Sequence, residues 1–324
     1  MHESFNHVWG IAVPTPWPVG PVNAYVVDDD PLTLVDTGPA SAEAMAAIED
    51  GLAEHGRRVE DLERIVLSHQ HTDHWGLAAA LVERSGAEVC ALEGLDAYMV
   101  DYPRSLLAED AFADGLLARH GASVAASGTA VYRGDLDYAA AVVTDRPLRD
   151  GDVLPFAGGD LRVLHRPGHS PSDIVLHDEA RDLMIGADHV MARRSVAIMA
   201  PPLGNATADG RPRALAEYRV SLRATDALGV GVVLPGHGAP VRDPHGVISA
   251  RLREYDRKTA RVGEVVGAEP RTAIEIARAV RGGAVPAHAV FFVLCDILGH
   301  LDDLLDAGSV TEIDDGGLSR FVTA

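Results

Sequence analysis

The chain has 324 residues, of which 47% are hydrophobic, and a formal net charge of −20 at pH 7. This length exceeds that of a single average domain, and the apolar share can bury a sizeable core, which excludes a largely disordered protein. The strong acidity argues against a nucleic-acid-binding surface, because phosphate binding depends on clustered Lys and Arg.

Strands and helices alternate along the first part of the chain. Residues 41–55 have a helical apolar pattern with Ser41 as the N-cap, and residues 75–85 predict a helix directly after a histidine cluster. The strands between them are short and rich in turns, which favours a layered α/β sandwich over a barrel. Short β-branched runs punctuated by Gly, Pro and Asp predict these strands at 24–27, 32–35, 65–67, 88–91, 161–165, 174–177, 183–186 and 230–234.

A long Ala-rich segment, residues 95–143, interrupts this alternation with a mostly helical pattern. Two interpretations stay open: a helical excursion that caps the edge of a sheet, or a lid over a substrate pocket. Adaptable Met and aromatic side chains suit the wall of a pocket. The large apolar side chains of this segment are Leu95, Tyr98, Met99, Leu106, Leu107, Phe112, Leu116 and Leu117.

The chain becomes helical again from about residue 248. Helices are predicted over 272–280 and 287–307, followed by strands at 310–313 and 318–322 joined by Asp-Asp-Gly-Gly. Helices followed by a small Gly-turn hairpin indicate a winged-helix-like module, so we divide the chain into domains 1–247 and 248–324. From Pro270 onward four basic residues oppose eight acidic ones, which is unfavourable for holding phosphates. We therefore interpret the C-terminal module as an element that packs against the first domain, forms a pocket wall or makes a homodimer contact.

The location of the protein follows from what the sequence lacks. Cys90 and Cys295 form no CxxC pair, so neither a disulfide framework nor cysteine-ligated zinc is expected. The N-terminus lacks a basic region followed by an apolar stretch, and no apolar run reaches the length of about 18 residues that a membrane span requires. We expect a cytoplasmic protein without membrane contact.

The most informative stretch is Ser68-His69-Gln70-His71-Thr72-Asp73-His74-Trp75, directly after the predicted strand 65–67. A loop at a strand end can turn alternate side chains toward one point. Imidazole and carboxylate groups are the nitrogen and oxygen ligands that zinc prefers, at about 2.0–2.2 Å. Iron and manganese accept the same ligands. Four such groups packed this tightly predict a metal site.

Three further groups stand singly downstream, each where a predicted strand passes into a loop. They are His169 in Arg-Pro-Gly-His-Ser, Asp188 in Ile-Gly-Ala-Asp-His, and His237 in Leu-Pro-Gly-His-Gly. Each alone would more often be a turn residue. Together with the first cluster they indicate the remainder of a two-metal site.

The sequence here resembles the metallo-β-lactamase superfamily. His-Gln-His-Thr-Asp-His fits the HxHxDH motif, and the downstream His, Asp and His follow in the family's order. The match covers residues 22–240 and includes Asn23-Ala24-Tyr25 and Val35-Asp36-Thr37-Gly38. The resemblance implies an αββα sandwich, and the chain looks most similar to glyoxalase II-like hydrolases with a C-terminal winged-helix-like domain. It also implies the metal ligands: His69, His71 and His169 for one ion, Asp73, His74 and His237 for the other, with Asp188 as the bridge.

Four residues near these ligands are candidates for a supporting or substrate-contacting role. Asp36 is expected to brace the ligating imidazoles from behind. Ser170-Pro171-Ser172-Asp173 replaces the frequent Thr-Pro-Gly-His, so the substrate contact that a glyoxalase II would make through this His is not expected here. Ser172 in this stretch is a candidate for a supporting or substrate-contacting role. Trp75 follows the motif as a bulky neighbour, and either core packing or a place beside the site explains it. His189 is either such a neighbour of the site or a structural histidine.

The resemblance implies hydrolysis of a thioester or ester of a small acyl compound. Two divalent cations about 3.5–4 Å apart can bridge a water and supply hydroxide near neutral pH. Asp188 would hold the ions together, and Asp73 could also orient the water or shuttle its proton. If residues 95–143 form a lid, their apolar side chains should line a pocket that opens onto His71 and Asp188 and accepts an apolar acyl chain.

Three alternatives stay open beside this reading. One is a metal-dependent nuclease acting on RNA or single-stranded DNA, which the acidity disfavours. Another is lactonase or β-lactamase-like activity. The third is a regulator whose C-terminal module binds DNA, which the excess of acidic residues in that module disfavours.

Overall fold

Two β-sheets face each other across an apolar core, and helices cover the outer face of each sheet. The computed structural model describes residues 4–5, 7–122, 133–192, 196–203 and 211–324. The core between the sheets takes side chains from both, among them Tyr25, Val66, Val163 and Leu234. Two further apolar clusters join the sheets to their helices. The predicted αββα sandwich is therefore confirmed.

The first sheet runs in chain order. Its first four strands pair antiparallel and its last four pair parallel. Among the described residues the strands of this sheet are β1 (Ser4–Phe5), β2 (Val8–Val13), β3 (Val22–Val27), β4 (Thr33–Val35), β5 (Arg64–Leu67), β6 (Glu88–Leu92) and β7 (Arg146–Leu148).

The second sheet is mainly antiparallel, and its last two strands in the chain pair parallel. In the described part of the chain its strands also lie side by side in chain order. Its strands are β8 (Val153–Leu154), β9 (Leu161–His165), β10 (Ile174–Asp178), β11 (Leu183–Ala187) and β12 (Val232–Pro235).

Helices form where the sequence has a helical apolar period. The predicted N-cap is confirmed, since the Ser41 Oγ accepts a hydrogen bond of 3.0 Å from the Ala44 N–H. In place of the predicted helix 75–85, the structure has a single helical turn that ends at Trp75 and a separate helix from Ala78 to Ser85. The described helices are α1 (Ala42–Ala53), α2 (Thr72–Trp75), α3 (Ala78–Ser85), α4 (Leu95–Val100), α5 (Tyr102–Arg119), α6 (Ala214–Asp226), α7 (Pro244–Val266), α8 (Ala273–Arg281) and α9 (Val290–Asp306).

Alternation along the strands divides their side chains between two cores. In β5, Ile65 and Leu67 face the cluster under the helices, whereas Val66 faces the other sheet. Both faces of β5 are therefore buried, and the strand is held firmly in the sandwich. The histidine motif begins where this strand ends, so its position relative to the sheet is fixed.

The segment 95–143 is helical over α4 and α5 and has a 3-10 helix at Arg133–Tyr138. Residues 123–132 lie outside the described residues. The structure differs from the expectation of an apolar pocket wall, because Leu95, Met99 and Leu106 pack in the core with the first sheet. Tyr98 does line a cavity, which also contains Gln70 of the motif.

The C-terminal elements agree with the prediction in type and order. After α7 to α9 the chain ends in the antiparallel hairpin β14 (Val310–Asp315) and β15 (Leu318–Thr323), and β13 (Arg271–Thr272) pairs with β15. One apolar cluster joins these helices to α6 and the second sheet, through Tyr218, Tyr255 and Leu298 for example. The winged-helix-like character and the boundary at residues 247/248 stay predictions.

Among the helices within the described segments, none is both long enough and apolar enough to cross a bilayer.

Candidate metal centre

The predicted ligands lie on four chain segments that each follow a strand. The motif residues 69–74 follow β5, and His169 follows β9. Asp188 comes directly after β11, and His237 comes two residues after β12. Because these strand ends meet at one edge of the sandwich, side chains from both sheets reach the same point.

Three imidazoles form the first group. The Nε2 of His69 and the Nε2 of His169 each lie 2.9 Å from the Nδ1 of His71. All three ligand atoms lie within 4.8 Å of one another. This is the set that the sequence assigned to one ion.

Asp73, His74 and His237 form the second group, and their ligand atoms also lie within 4.8 Å of one another. The Asp73 Oδ2 is 3.2 Å from the His237 Nε2 and 4.0 Å from the His74 Nε2. This is the set that the sequence assigned to the other ion.

Asp188 lies between the two groups. Its Oδ2 is 3.3 Å from the Nε2 of His169 in the first group and 3.8 Å from the Nε2 of His237 in the second. Its Oδ1 is 3.4 Å from the Nε2 of His74. A carboxylate in this position can reach ions in both groups, as the predicted bridge requires.

Hydrogen bonds behind the rings fix the direction in which they face. The Nδ1 of His74 lies 2.7 Å from the Asp36 Oδ2, which also accepts the Ser68 hydroxyl at 2.8 Å. Asp36 adopts a positive φ of 60°, which is unusual for a residue other than glycine. The bracing role predicted for Asp36 agrees with these contacts, because a ring held at Nδ1 presents Nε2 to the centre.

Backbone carbonyls hold two further imidazoles in the same way. The Nδ1 of His169 lies 3.0 Å from the Val196 carbonyl, and the Nδ1 of His237 lies 2.8 Å from the Pro21 carbonyl. Both rings therefore present Nε2 to the centre.

Two imidazoles of the first group are held neutral. Burial lowers the pKa of His71 to about 3, and the neighbouring His169 adds to the effect. Burial also lowers the pKa of His69 well below its ordinary value, and His74 adds to that shift. A neutral imidazole has a free lone pair, which is the form that binds metal.

The second group attracts positive charge. Burial opposes protonation of His74, but Asp73, Asp188 and Asp36 outweigh it and raise the pKa of His74 well above its ordinary value. The pKa of Asp188 is held below its ordinary value, since His74 and other imidazoles outweigh the effect of burial. A divalent cation would supply the same positive charge and displace protons from the imidazoles.

The chemistry of the donor set fits metal ions. The His74 Nε2 and the Asp188 Oδ1 are buried and have no hydrogen-bond partner among the described residues. An unsatisfied buried polar atom costs about 1–3 kcal/mol. A cation between the two groups would satisfy both atoms.

The other residues singled out in the sequence lie behind the centre. Trp75 is fully buried and donates from Nε1 to the Gln70 carbonyl at 2.8 Å. The Ser172 Oγ accepts from the Gln70 N–H at 2.9 Å, and the His189 Nε2 lies 2.8 Å from the Thr225 Oγ1 on α6. In this arrangement Trp75 and Ser172 brace the motif, and His189 anchors the loop of Asp188 to α6.

Sequence reasoning missed two supports of the centre. Asn23 donates from Nδ2 to the carbonyls of Pro235 and Gly238, both at 2.9 Å, and so clamps the loop of His237. The second is Glu109 on α5, which accepts a hydrogen bond from the Gln70 amide. Asn23 stood in a matched motif, but nothing in the local sequence distinguished Glu109.

A family model for the metallo-beta-lactamase superfamily matches residues 17–237. The chain belongs to the metallo-β-lactamase superfamily. Membership places it among metal-dependent hydrolases and implies a divalent metal at the candidate centre. The resemblance drawn from the motif is confirmed at the level of the superfamily.

Several members of the superfamily are similar to this chain. The probable metallo-hydrolase YqjP of Bacillus subtilis is 30% identical over 98% of this chain and 98% of its own length. A beta-lactamase domain protein from Burkholderia ambifaria matches with a TM-score of 0.83 and 26% identity, covering 100% of this chain and 94% of that one. An atrochrysone carboxyl ACP thioesterase from Aspergillus fumigatus is 27% identical over 37% of this chain and 25% of its own length.

Elemental analysis of purified, metal-supplemented protein should return close to two ions per chain. The reason is that two of the three ligand groups, His69-His71-His169 and Asp73-His74-His237, share no residue, and Asp188 is in reach of both. Chelation should lower the melting temperature, because an ion that binds only the folded state stabilises it. A ratio of one ion or none in supplemented protein would contradict a two-metal centre.

Proposed function

We propose that this superfamily member is a dinuclear hydrolase, with zinc as the default metal, that cleaves a thioester or ester of a small acyl compound. The observation that carries the proposal is the convergence of seven buried or half-buried ligands in two groups joined by one carboxylate. Iron and manganese accept the same donors, so elemental analysis must identify the metal.

His69, His71 and His169 would hold one ion, Asp73, His74 and His237 the other, and Asp188 both. When bound, the two ions lower the pKa of water and polarise the substrate carbonyl.

The protein's own groups hold the imidazole ligands in position and accept the proton of the attacking water. Asp36 and the carbonyls of Val196 and Pro21 hold three imidazoles in position. The Asp73 side chain keeps 15% of its surface exposed, so we assign to it the proton that the attacking water loses.

Two observations bear on the substrate: one supports a thioester and the other disfavours nucleic acid. The Aspergillus relative is described as a thioesterase, although the similarity spans about a third of this chain. A net charge of −20 disfavours RNA or DNA, which require a basic surface. The glyoxalase II-like subgroup, the winged-helix-like module, the cytoplasmic location and a homodimer remain proposals on the same footing.

Parallel assays on metal-loaded protein test this function. Thioesters, lactones, β-lactams and RNA should be offered side by side, with Asp188→Ala protein as the control for contaminating hydrolases. We expect thioesters to have the highest kcat/KM and chelation to remove the activity. Efficient cleavage of RNA, or turnover of lactones or β-lactams alone, would overturn the proposal.

A further inference from the structure

A cavity of about 390 Å³ lies between the motif loop, the helices α4 and α5, and the segment 201–203. Its wall combines polar and apolar side chains, and the carboxyl group of Glu109 is among them. The lining that matters here consists of Gln70, Tyr98, Ser105, Glu109, Pro201 and Leu203.

Two parts of the cavity wall belong to chain segments that also carry or contact metal ligands. Gln70 stands in the motif between the ligands His69 and His71, and its side chain lines the cavity. Pro201 to Leu203 also line the cavity, and they belong to the segment 196–203, which is attached to His169 at its start. The Val196 carbonyl lies 3.0 Å from the His169 Nδ1, and the Ile198 N–H donates to the His169 carbonyl at 3.2 Å. The cavity therefore lies against the motif loop, at a residue whose two neighbours in the chain are ligands.

Glu109 is the unusual member of the lining, because only 5% of it is exposed. Its Oε1 accepts a hydrogen bond from the Gln70 Nε2, and its Oε2 accepts one of 2.8 Å from the Tyr98 hydroxyl. Both donors are neutral, whereas a buried carboxylate normally has a cationic partner. Burial raises the pKa of Glu109 to about 7, although the bonds from Tyr98 and Gln70 work against the shift.

Among the described residues of the lining, no positively charged side chain lies close enough to balance the charge of Glu109. Arg104 also lines the cavity, but 86% of its side chain is exposed and its Nη1 lies 3.9 Å from the Asp101 carboxylate. The described lining thus contains two carboxylates, Asp101 and Glu109, against one guanidinium at the rim.

We propose that this cavity binds an ammonium group on the acyl part of the substrate, with Glu109 as the specificity-determining residue. The inference rests on the proposed hydrolysis of acyl thioesters and names the class of acyl group. An ammonium group supplies the positive charge that the buried carboxylate lacks, and its N–H groups can bond to the remaining lone pairs. Charge-assisted hydrogen bonds of this kind are roughly twice as strong as neutral ones.

The first test compares matched substrates on metal-loaded protein. The pairs are N-acetylcysteamine thioesters of 3-aminopropanoate against butanoate, and of 6-aminohexanoate against heptanoate. Within at least one pair, wild-type protein should show at least about tenfold higher kcat/KM for the ammonium-bearing member. Glu109→Gln should reduce that ratio to about one, because glutamine keeps an acceptor oxygen but lacks the charge. The matched control Glu83→Gln, on the exposed face of α3, should keep the wild-type ratio.

A second variant covers the case in which Glu109→Gln fails to fold or to bind metal. Ser105 lines the cavity one helical turn before Glu109 on α5, so Ser105→Lys places a competing ammonium group next to the carboxylate. This variant should also abolish the preference. A folded, metal-loaded Glu109→Gln or Ser105→Lys protein that keeps the wild-type ratio would overturn the proposal.

Calorimetry separates this inference from the proposed function. Metal-loaded wild-type protein should bind 6-aminohexanoate at least about tenfold more tightly than heptanoate, and Ser105→Lys should remove the difference. If wild-type protein cleaves neither thioester but keeps this binding difference, the proposed function fails and the ammonium site stands. Equal binding of the two acids by wild-type protein would sink the ammonium site, whatever the thioester assay shows.

Discussion

Replacing Asp188 with alanine is expected to lower kcat by at least about 10³-fold, the upper end of the effect of removing one preorganised charge-stabilising group. The carboxylate lies 3.3 Å from the His169 Nε2 and 3.4 Å from the His74 Nε2, so it belongs to both ligand groups. Its loss should leave the groups without a common ligand and reduce the metal content below two ions per chain.

The fold should survive this change, because Asp188 faces the imidazoles and not an apolar core. Circular dichroism and elemental analysis should therefore be measured together with the kinetics. Asp160→Ala, at an exposed position of the same domain, is the matched control and should behave as wild type. Near-normal turnover by Asp188→Ala in a sensitive assay would show that the two-metal mechanism is wrong.

The ligand set could be predicted from the sequence because its chemistry is concentrated in short motifs. His69, His71, Asp73 and His74 stand within six residues directly after a strand. The other three ligands each follow a short apolar run that the sequence predicted as a strand and that is a strand in the structure. The spacing indicated a metal site, and the resemblance to the superfamily supplied the division of the ligands between two ions.

Two supports of the centre, Asn23 and Glu109, could not be predicted because they join distant parts of the chain. The Asn23 side chain bonds to a loop more than two hundred residues away. Glu109 looks like a solvent-facing residue of an Ala-rich helix, and only the packing of α5 against the motif buries it. The strand β2 was missed for a related reason: Gly10 and Ala12 have weak strand propensity, and pairing with β3 supplies the stability.

Gly236→Ala is expected to disrupt the centre although it replaces no ligand. A Cβ at this position would lie 2.3 Å from the Asp188 Oδ1 and 2.7 Å from the His74 Cε1, and contacts this short require a neighbour to move. The His74 ring is held by its bond to Asp36, so Asp188 must swing out of the bridging position. We expect metal affinity to fall at least about 100-fold, at the upper end of the effect of disturbing a ligand's support.

Displacement of Asp188 can be separated from a general loss of stability by measuring the unfolding free energy of the metal-free and of the metal-loaded protein. Overpacking should cost about 1–3 kcal/mol of unfolding free energy in the metal-free protein, and the stabilisation on adding metal should be smaller than in wild type. Gly115→Ala is the matched control, since a Cβ there meets nothing within 4 Å. Alanine in the middle of α5 should stabilise the protein by about 0.5–1 kcal/mol and leave metal binding unchanged. If Gly236→Ala instead binds two ions with wild-type affinity, Asp188 has room to move without leaving the ions, and the close packing of Gly236 is not what holds the bridge.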